Sequence, residues 1–418
     1  MEKIILPGGV RLLAERVPHV RTAALGIWIG SGTRHEPPGY GGISHALEHM
    51  VFKGAGPRSA VLLAEDMDAI GGQVNAYTTK ENTTFYVKTL DRHLEIASEV
   101  LSDLYFSPHL RASDWRTERA VIAEEIDMYE DTPEDLVTER LFASTLSGGL
   151  ERSILGTRGS LSRITAKTLQ SYRARHYTPQ ATVVSLAGSF TDKDLQRLAD
   201  RFSNHAVLDV APPPPDEAAA AYTPALLVRK KPIEQSHLCL AFPGLPMASD
   251  KRYIYQVMSG ILGGGMSSRL FQTLREERGL CYSVYSFAAS HQDTGLFGVY
   301  LALNKRAQRQ ALETAMGELR RFAADGPTPE ELTRAVEQNM AGVLMGLEST
   351  TARMSFLGRG ELLIGDIPSY DEIVERYAAV TRQDVHDLAA EVLDFDRMSL
   401  SAVGDVSPAR VYKEILGM

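Results

Sequence analysis

The pattern of apolar and polar positions along this chain predicts strands and helices in a repeating order. Helical spacing of apolar residues runs through Glu118–Glu130, where Val121, Ile122, Ile126 and Tyr129 share one face. Strands and helices mixed in this way predict an α+β fold. The strand-like segments, rich in apolar and β-branched residues, are Ala23–Gly30, Gln73–Tyr77, Thr83–Thr89, Val183–Ser189, Ser236–Phe242 and Leu400–Asp405.

The predicted elements occur as two copies. The last strand of the first copy, Val183–Ser189, and the last strand of the second, Leu400–Asp405, are each followed by a predicted helix. Gly188 and Gly404 occupy matching places in these strands and are 216 positions apart. We therefore expect an internal duplication that gives two homologous, α/β-sandwich-like halves.

A proline-rich segment separates the two copies. Residues 207–223 read VLDVAPPPPDEAAAAYT, in which four consecutive prolines and an alanine-rich tract interrupt any packed element. We expect an N-terminal domain at 1–210, a linker at 211–223 and a homologous C-terminal domain at 224–418. The length of 418 residues also favours more than one domain, because single hydrophobic cores rarely grow so large.

The composition excludes several classes of protein. A formal net charge of −9 and the lack of a strong basic run argue against nucleic-acid binding. No apolar run reaches the ~18 residues of a membrane span, and the first residues lack the pattern of a targeting leader. The two cysteines, Cys239 and Cys281, are not in CxxC spacing, which argues against a disulfide framework or a thiolate metal site. These features predict a cytoplasmic protein.

The sequence His45-Ala46-Leu47-Glu48-His49 carries the main candidate chemistry. Residues i and i+4 of an α-helix lie on one face, so His45 and His49 can bind one cation together. Glu48 lies close enough to take a proton from a water molecule on that cation. This HxxEH order is the inverted form of the zinc-protease motif. Because HxxEH also occurs on ordinary charged helix faces, the motif alone does not establish a metal site.

Catalytic zinc usually takes three protein ligands, so a third ligand must come from elsewhere in the chain. The predicted helix Glu118–Glu130 is the best source. Glu118 and Glu125 are seven residues apart, which is about two helical turns, and share a face. One can bind metal while the other supports a ligand. The alternative interpretation is a solvated acidic helix surface.

Gly42–Gly54 and Glu118–Glu125 together resemble the pitrilysin-type (M16) inverzincin zinc peptidases. The closest branch is the bacterial relatives of the mitochondrial processing peptidase β subunit, and the resemblance spans nearly the whole chain. It implies two LuxS/mitochondrial-processing-peptidase-type domains and a zinc metalloendopeptidase. One Zn²⁺ per chain would be bound by His45, His49 and Glu125, with Glu118 supporting a ligand and Glu124 as the fallback. Glu48 would be the catalytic general base.

The resemblance also implies residues that bind a peptide substrate. Asn75, Ala76 and Tyr77 would lie at a sheet edge beside the zinc. The alternative interpretation of this segment is a strand in the core. Arg275 and Tyr282 match an Arg and a Tyr that reach the substrate from the second half. Two simpler interpretations apply without the family context. Arg275 would form an ion pair with a neighbouring glutamate, and Tyr282 would pack within its strand. Related chains usually pair, so we expect a homodimer that encloses a chamber.

The second copy is expected to lack a metal site. An offset of 216 places the counterparts of His45, Glu48 and His49 in the glycine-rich segment Ile261–Met266, which has no metal ligands. A helix is predicted just beyond it, over Ser267–Gly279. Two alternative functions stay open: a non-catalytic peptide-binding or structural subunit of the same fold, and a metal-dependent hydrolase that acts on other substrates.

Overall fold

The computed structural model describes residues 1–203 and 219–417, so most of the predicted linker 211–223 lies outside the described residues. The predicted strands are confirmed with ends shifted by one or two residues. The strands are β1 (Glu2–Ile5), β2 (Arg11–Arg16), β3 (Thr22–Ile29), β4 (Gly54–Ala55), β5 (Arg58–Ser59), β6 (Gln73–Thr78), β7 (Thr83–Leu90), β8 (Thr182–Gly188), β9 (Leu226–Lys230), β10 (Gln235–Gly244), β11 (Ser283–Ser290), β12 (Gly295–Asn304) and β13 (Ser399–Gly404).

None of the helices in the described part of the chain is long and apolar enough to cross a membrane. Phe271–Glu276 and Gly360–Ile364 are π-helical. The α-helices are α1 (Ile43–Val51), α2 (Ala60–Ala69), α3 (Leu94–Phe106), α4 (Ala112–Glu130), α5 (Pro133–Thr145), α6 (Arg158–Leu161), α7 (Ala166–His176), α8 (Asp192–Ser203), α9 (Arg252–Gly263), α10 (Gln308–Asp325), α11 (Pro329–Gly346), α12 (Thr350–Arg359), α13 (Tyr370–Ala378), α14 (Arg382–Val392) and α15 (Ala409–Leu416).

Two sheets that share a five-stranded topology, to which the first sheet adds β1, confirm the internal duplication. The first has the order β1-β2-β8-β3-β7-β6 and the second has the order β11-β12-β10-β13-β9. In the second sheet, β10 takes the place of β3, β12 of β7, β11 of β6, β13 of β8 and β9 of β2. The directions also agree, since β2 pairs in parallel with β8 as β9 does with β13, while the other corresponding pairs are antiparallel.

The two glycines that are 216 positions apart end equivalent strands. Gly188 has φ 125° and Gly404 has φ 115°, a backbone region that L side chains rarely adopt. A Cβ on Gly188 would lie 2.2 Å from the carbonyl oxygen of Thr22, and a Cβ on Gly404 would lie 2.2 Å from that of Gln235. The same backbone requirement is therefore met by glycine in both copies.

Each compact unit of the molecule includes a helix from the other half of the sequence. The first unit comprises Met1–Asp127, Arg152–Glu217 and Met345–Ile367. The second comprises Met128–Glu151, Ala218–Leu344 and Pro368–Met418. Helix α12 thus belongs to the first unit, and α5 belongs to the second. The domain boundaries at 210 and 224 stay a prediction, because residues 204–218 lie outside the described part.

We call α12 and α5 the exchanged helices, because each belongs to the compact unit formed mainly by the other half of the sequence. Each contributes buried side chains to the sheet that it covers. In the first unit, Met354 and Leu357 of α12 pack against β2, β3 and β8. In the second, Leu136 and Leu141 of α5 pack against β10 and β13. Neither core is therefore complete within one contiguous half of the sequence. The other face of the first sheet carries α1 and α3 and the main hydrophobic core of that unit.

Candidate metal centre

Helix α1 presents the HxxEH motif on one side and packs on the other. Its residues Ile43, Leu47 and Met50 are at most 1% exposed and belong to the main core of the first unit. His45 and His49 are on the remaining face, with side chains 12% and 18% exposed. The helical period of 3.6 residues separates these two sets, as the sequence predicted.

The N-terminus of α1 is capped by a buried carboxylate from outside the helix. Oε2 of Glu36 accepts a hydrogen bond from the backbone N–H of Gly42 at 2.8 Å, and Oε1 accepts one from that of Ser44 at 2.9 Å. Burial raises the pKa of Glu36 to about 7. Gly42 has φ 87°, and a Cβ there would lie 2.6 Å from the carbonyl oxygen of Leu155. The sequence analysis did not identify Glu36, because no local pattern links it to α1.

The two imidazoles converge with a carboxylate of α4. Nε2 of His49 lies 3.5 Å from Oε2 of Glu125, and Nε2 of His45 lies 3.8 Å from the same oxygen. One ligand atom from each of the three residues lies within 4.8 Å of the others. This group, found among residues 1–203 and 219–417, includes Glu125 and not the fallback Glu124.

The polar atoms of this group fit a metal ion. Oε2 of Glu125, the oxygen that both imidazoles face, is buried and has no hydrogen-bond partner, which is costly unless another species satisfies it. Burial, together with the neighbouring His49, lowers the pKa of His45 to about 3, so this imidazole is uncharged and can donate a lone pair. Two nitrogens and one carboxylate oxygen form a donor set typical of catalytic Zn²⁺ sites.

Glu118 and Glu125 lie on the same side of α4, as their spacing predicted. Oε2 of Glu118 lies 3.3 Å from Nδ1 of His49, the ring nitrogen opposite the one that faces Glu125. Glu118 is 5% exposed. A carboxylate behind a ligating imidazole fixes the ring and raises its basicity, so Glu118 is placed to support His49.

Glu48 is held by a threonine at the end of an edge strand. The hydroxyl of Thr78 donates a hydrogen bond of 2.5 Å to Oε2 of Glu48. Burial raises the pKa of Glu48 above its usual value despite this bond, and the nearby charge of Glu125 adds a smaller increase. Thr78 is itself 8% exposed. The predicted strand ends at Tyr77, and no local sequence pattern links Thr78 to Glu48.

Asn75, Ala76 and Tyr77 lie on β6, at the edge of the first sheet. β6 pairs with β7, and within the described residues no strand pairs with its other side. The Asn75 side chain accepts a hydrogen bond from the N–H of Ala76 at 2.8 Å, and Tyr77 is 37% exposed. An open strand edge therefore leads to Thr78 and Glu48, beside the three candidate ligands.

Arg275 and Tyr282 lie together in the second unit. The guanidinium carbon of Arg275 is 5.5 Å from the ring centroid of Tyr282 and 4.7 Å from that of Phe271. Tyr282 is 73% exposed. The helix predicted over Ser267–Gly279 is π-helical at Phe271–Glu276 rather than a regular α-helix. The role of Arg275 and Tyr282 toward a substrate stays a prediction.

In the second sheet, α9 has the place that α1 has in the first: α1 packs on the edge strand β6, and α9 packs on the edge strand β11. A Cβ on Gly263, at the end of α9, would lie 2.3 Å from the backbone nitrogen of Ser286 on β11. The helix end thus lies directly against the strand. This close approach leaves no room for a side chain at position 263.

Comparison with known families covers both halves of the chain. Residues 11–158 match the family described as insulinase (peptidase family M16), and residues 163–339 match the family described as the peptidase M16 inactive domain. The chain is 40% identical over 389 residues to the uncharacterized zinc protease YmxG of Bacillus subtilis, covering 93% of this chain and 94% of that protein. It is 39% identical over 413 residues to an uncharacterized zinc protease of Streptomyces coelicolor, covering 97% and 89%.

A eukaryotic relative and two solved structures agree with these matches. The chain is 29% identical over 425 residues to the mitochondrial-processing peptidase subunit beta of Lentinula edodes, covering 98% of this chain and 91% of that protein. A protease from Helicobacter pylori matches with a TM-score of 0.89 at 21% identity, covering 96% of this chain and 99% of that chain. A chain of complex III from Candida albicans matches with a TM-score of 0.85 at 18% identity, covering 99% of each. These two structures support the fold.

Sequence identity and the geometry of the fold and site indicate the same family. Relatives that exceed 30% identity over more than nine-tenths of the chain are named zinc proteases. The duplicated α+β fold and the His45–His49–Glu125 group are those that the family resemblance implied. The chain therefore belongs to the insulinase family of zinc metallopeptidases, M16.

Proposed function

We propose that this protein is a zinc-dependent endopeptidase that cleaves peptides or unstructured segments bound in an extended conformation. The observation that carries the proposal is the convergence of His45, His49 and Glu125, with an unpartnered carboxylate oxygen, beside the partly buried Glu48. The names of the curated relatives support the zinc and the protease activity.

His45, His49 and Glu125 would bind Zn²⁺. When bound, the ion supplies a Lewis acid that activates water and polarises the scissile carbonyl group. Glu118 orients the His49 ring through Nδ1. The three ligands come from α1 and from the part of α4 that lies within the first unit, so the second unit is not required to complete the donor set.

Glu48 would be the general base. Thr78 occupies its Oε2, which restricts rotation of the carboxylate and leaves Oε1 to accept a proton from the attacking water. Burial, which raises the pKa of Glu48, also makes the carboxylate a stronger proton acceptor than an exposed glutamate. The same carboxyl group would then deliver the proton to the departing amine.

The substrate would be bound along the open edge of β6. An extended peptide can add to a sheet edge through main-chain hydrogen bonds, which recognise conformation more than side-chain identity. The edge at Asn75, Ala76 and Tyr77 ends at Thr78, whose hydroxyl contacts Glu48. A peptide on this edge would thus run toward the general base. Folded proteins would be poor substrates because they cannot offer a free strand.

Arg275 and Tyr282 are proposed to hydrogen-bond the substrate carbonyl or the tetrahedral oxyanion. Their support is the resemblance to the family together with the exposed Tyr282 ring beside the Arg275 guanidinium. Replacing either residue should reduce peptide turnover and leave zinc affinity unchanged. A reduced zinc affinity instead would assign them a structural role.

The proposal extends to assembly and location. A homodimer that encloses a chamber follows from the resemblance to related chains, and a cytoplasmic location follows from the composition, including two cysteines outside CxxC spacing. Measuring the molar mass of the purified chain by light scattering tests the first part. A monomer that cleaves peptides at full rate would contradict the dimer and leave the peptidase activity standing.

The decisive experiment is cleavage of a mixed peptide library by the purified chain, with cut sites identified by mass spectrometry. Cleavage should stop with a chelator and return with added zinc. Glu48→Gln should bind zinc but not turn over, whereas Glu124→Gln, which changes a neighbouring glutamate outside the ligand group, should remain active. Chelator-insensitive cleavage, or full activity of Glu48→Gln, would refute the proposal. Peptide binding without any cleavage would favour the non-catalytic alternative.

A further inference from the structure

We infer that Lys53 is a positioning residue of the metal centre, which fixes Glu118 against His49 and so strengthens zinc binding without contacting the metal. The inference rests on the proposed function. Three side chains in a row carry it. Nζ of Lys53 lies 2.8 Å from Oε1 of Glu118, and Oε2 of Glu118 lies 3.3 Å from Nδ1 of His49.

The ion pair assigns each oxygen of Glu118 a different partner. The Glu118 side chain is 6% exposed, and a buried carboxylate is costly unless both oxygens are compensated. Lys53 provides the opposite charge at Oε1, which leaves Oε2 for the imidazole of His49. Without the ammonium group, the carboxylate could rotate and its second oxygen would have lost its charged partner.

The arrangement also sets the orientation of the His49 ring. An ionised carboxylate has no proton to give, so Nδ1 of His49 donates to Glu118 and the lone pair of Nε2 is directed toward Oε2 of Glu125, 3.5 Å away. Loss of a carboxylate contact of this kind typically costs 10- to 100-fold in metal affinity. Lys53 acts on the same property through one further contact.

Lys53 connects the two helices that supply the ligands. It follows the C-terminus of α1, which bears His45 and His49, whereas Glu118 precedes Glu125 by about two turns of α4. Most lysine–carboxylate pairs are exposed on both sides and contribute little. Here the acceptor is buried and contacts a metal ligand, so the pair holds α1 and α4 in the register that brings the three ligands together.

The chain offers a matched control for this pair. Lys3 lies 2.8 Å from Oε2 of Glu361, and the side-chain exposures of that pair, 43% and 6%, are close to the 37% and 6% of Lys53 and Glu118. Glu361 has no metal-ligating neighbour in the described residues. Lys3→Met therefore removes a lysine–carboxylate pair of similar exposure without touching the metal centre, while Glu361 keeps a second ion pair with Arg11 at 3.6 Å.

The test is the zinc dissociation constant, measured on the metal-free full chain by competition with a chelator. Lys53→Met should weaken zinc binding about 10-fold. Lys53→Arg should restore affinity to within about 3-fold of the original chain, and Lys3→Met should have no effect. Because Lys53 acts through Glu118, Lys53→Met should add no further loss to Glu118→Gln.

Two results would overturn the inference: unchanged zinc affinity in Lys53→Met, or losses from Lys53→Met and Glu118→Gln that multiply in the double variant. If Lys53→Met does not fold, as judged by circular dichroism, Lys53→Gln against Lys53→Arg makes the same comparison. Failure of the original chain to bind zinc would instead refute the proposed function, and this inference with it. The two failures are thus distinguishable.

Discussion

The hydrogen bond from Thr78 to Glu48 gives a sharp prediction for catalysis. Thr78→Val removes the hydroxyl and keeps the shape of the side chain, so the general base loses the contact that orients it. A hydrogen bond to a charged group contributes about 1.5 to 3 kcal/mol. If that contribution is present in the transition state, kcat should fall by about 10- to 150-fold.

The assay separates positioning from binding and folding. Initial rates on a peptide identified from the library should show the loss in kcat with KM nearly unchanged, and zinc content should stay at the level of the original chain. Thr78→Ser keeps the hydroxyl and should retain most of the activity. Thr89→Val is a matched control, because the buried Thr89 hydroxyl on β7 has no hydrogen-bond partner.

Three outcomes would refute this reasoning. A Thr78→Val enzyme with unchanged kcat would show that the bond does not orient the base during turnover. A Thr78→Val enzyme that has lost zinc would show that Thr78 supports the metal centre as a whole rather than Glu48. Equal losses in Thr78→Val and Thr89→Val would indicate a general effect on the sheet.

Three further predictions concern stability. Burial raises the pKa of Glu36 from 4.5 to about 7, so the folded protein holds this proton more tightly than the unfolded chain. The free energy of unfolding, compared with that of Glu36→Gln, should therefore fall by about 3 kcal/mol as pH rises from about 4 to 8. Urea denaturation of the metal-free chain measures this change. A rise or no change would contradict the burial argument. Met354→Ala, at a site 1% exposed on the exchanged helix α12, should cost about 2 to 5 kcal/mol in the same measurement, whereas the 66% exposed Met345→Ala should change little. Zinc at one hundred times its dissociation constant should stabilise the chain by about 2.7 kcal/mol, an effect that Glu48→Gln retains and His45→Ala loses.

The exchanged helices have a consequence for how the protein folds. Because α12 supplies Met354 and Leu357 to the first unit, the chain must be made almost to its end before that core is complete. A fragment that ends before α12 leaves Trp28 and the neighbouring face of β3 without their cover. The sheet topology is therefore repeated, but the two compact units are not two contiguous, independent stretches of the sequence.

Sequence patterns were sufficient to predict features that depend on residues close together in the chain. The 3.6-residue period places His45, Glu48 and His49 on one face of α1, and a spacing of seven places Glu118 and Glu125 on one face of α4. Strand periodicity likewise predicted six strands, of which four (β3, β6, β7 and β8) lie in the first sheet and two (β10 and β13) in the second. The family resemblance then indicated Glu125 as the third ligand, and the structure brings that residue to the two histidines.

Tertiary structure decided what these residues contact. Glu36 reaches the start of α1 across a loop, Thr78 reaches Glu48 from the end of an edge strand, and Lys53 reaches Glu118 from the turn that follows α1. No periodicity records such contacts, because they depend on how elements far apart in the chain pack together. The sequence by itself predicted the two candidate histidine ligands, the duplicated fold and the chemistry expected of them, and the family resemblance added Glu125. Only the folded chain determined which side chains orient the ligands and the base, since burial and distance, rather than residue type, give Glu36, Thr78 and Lys53 those roles.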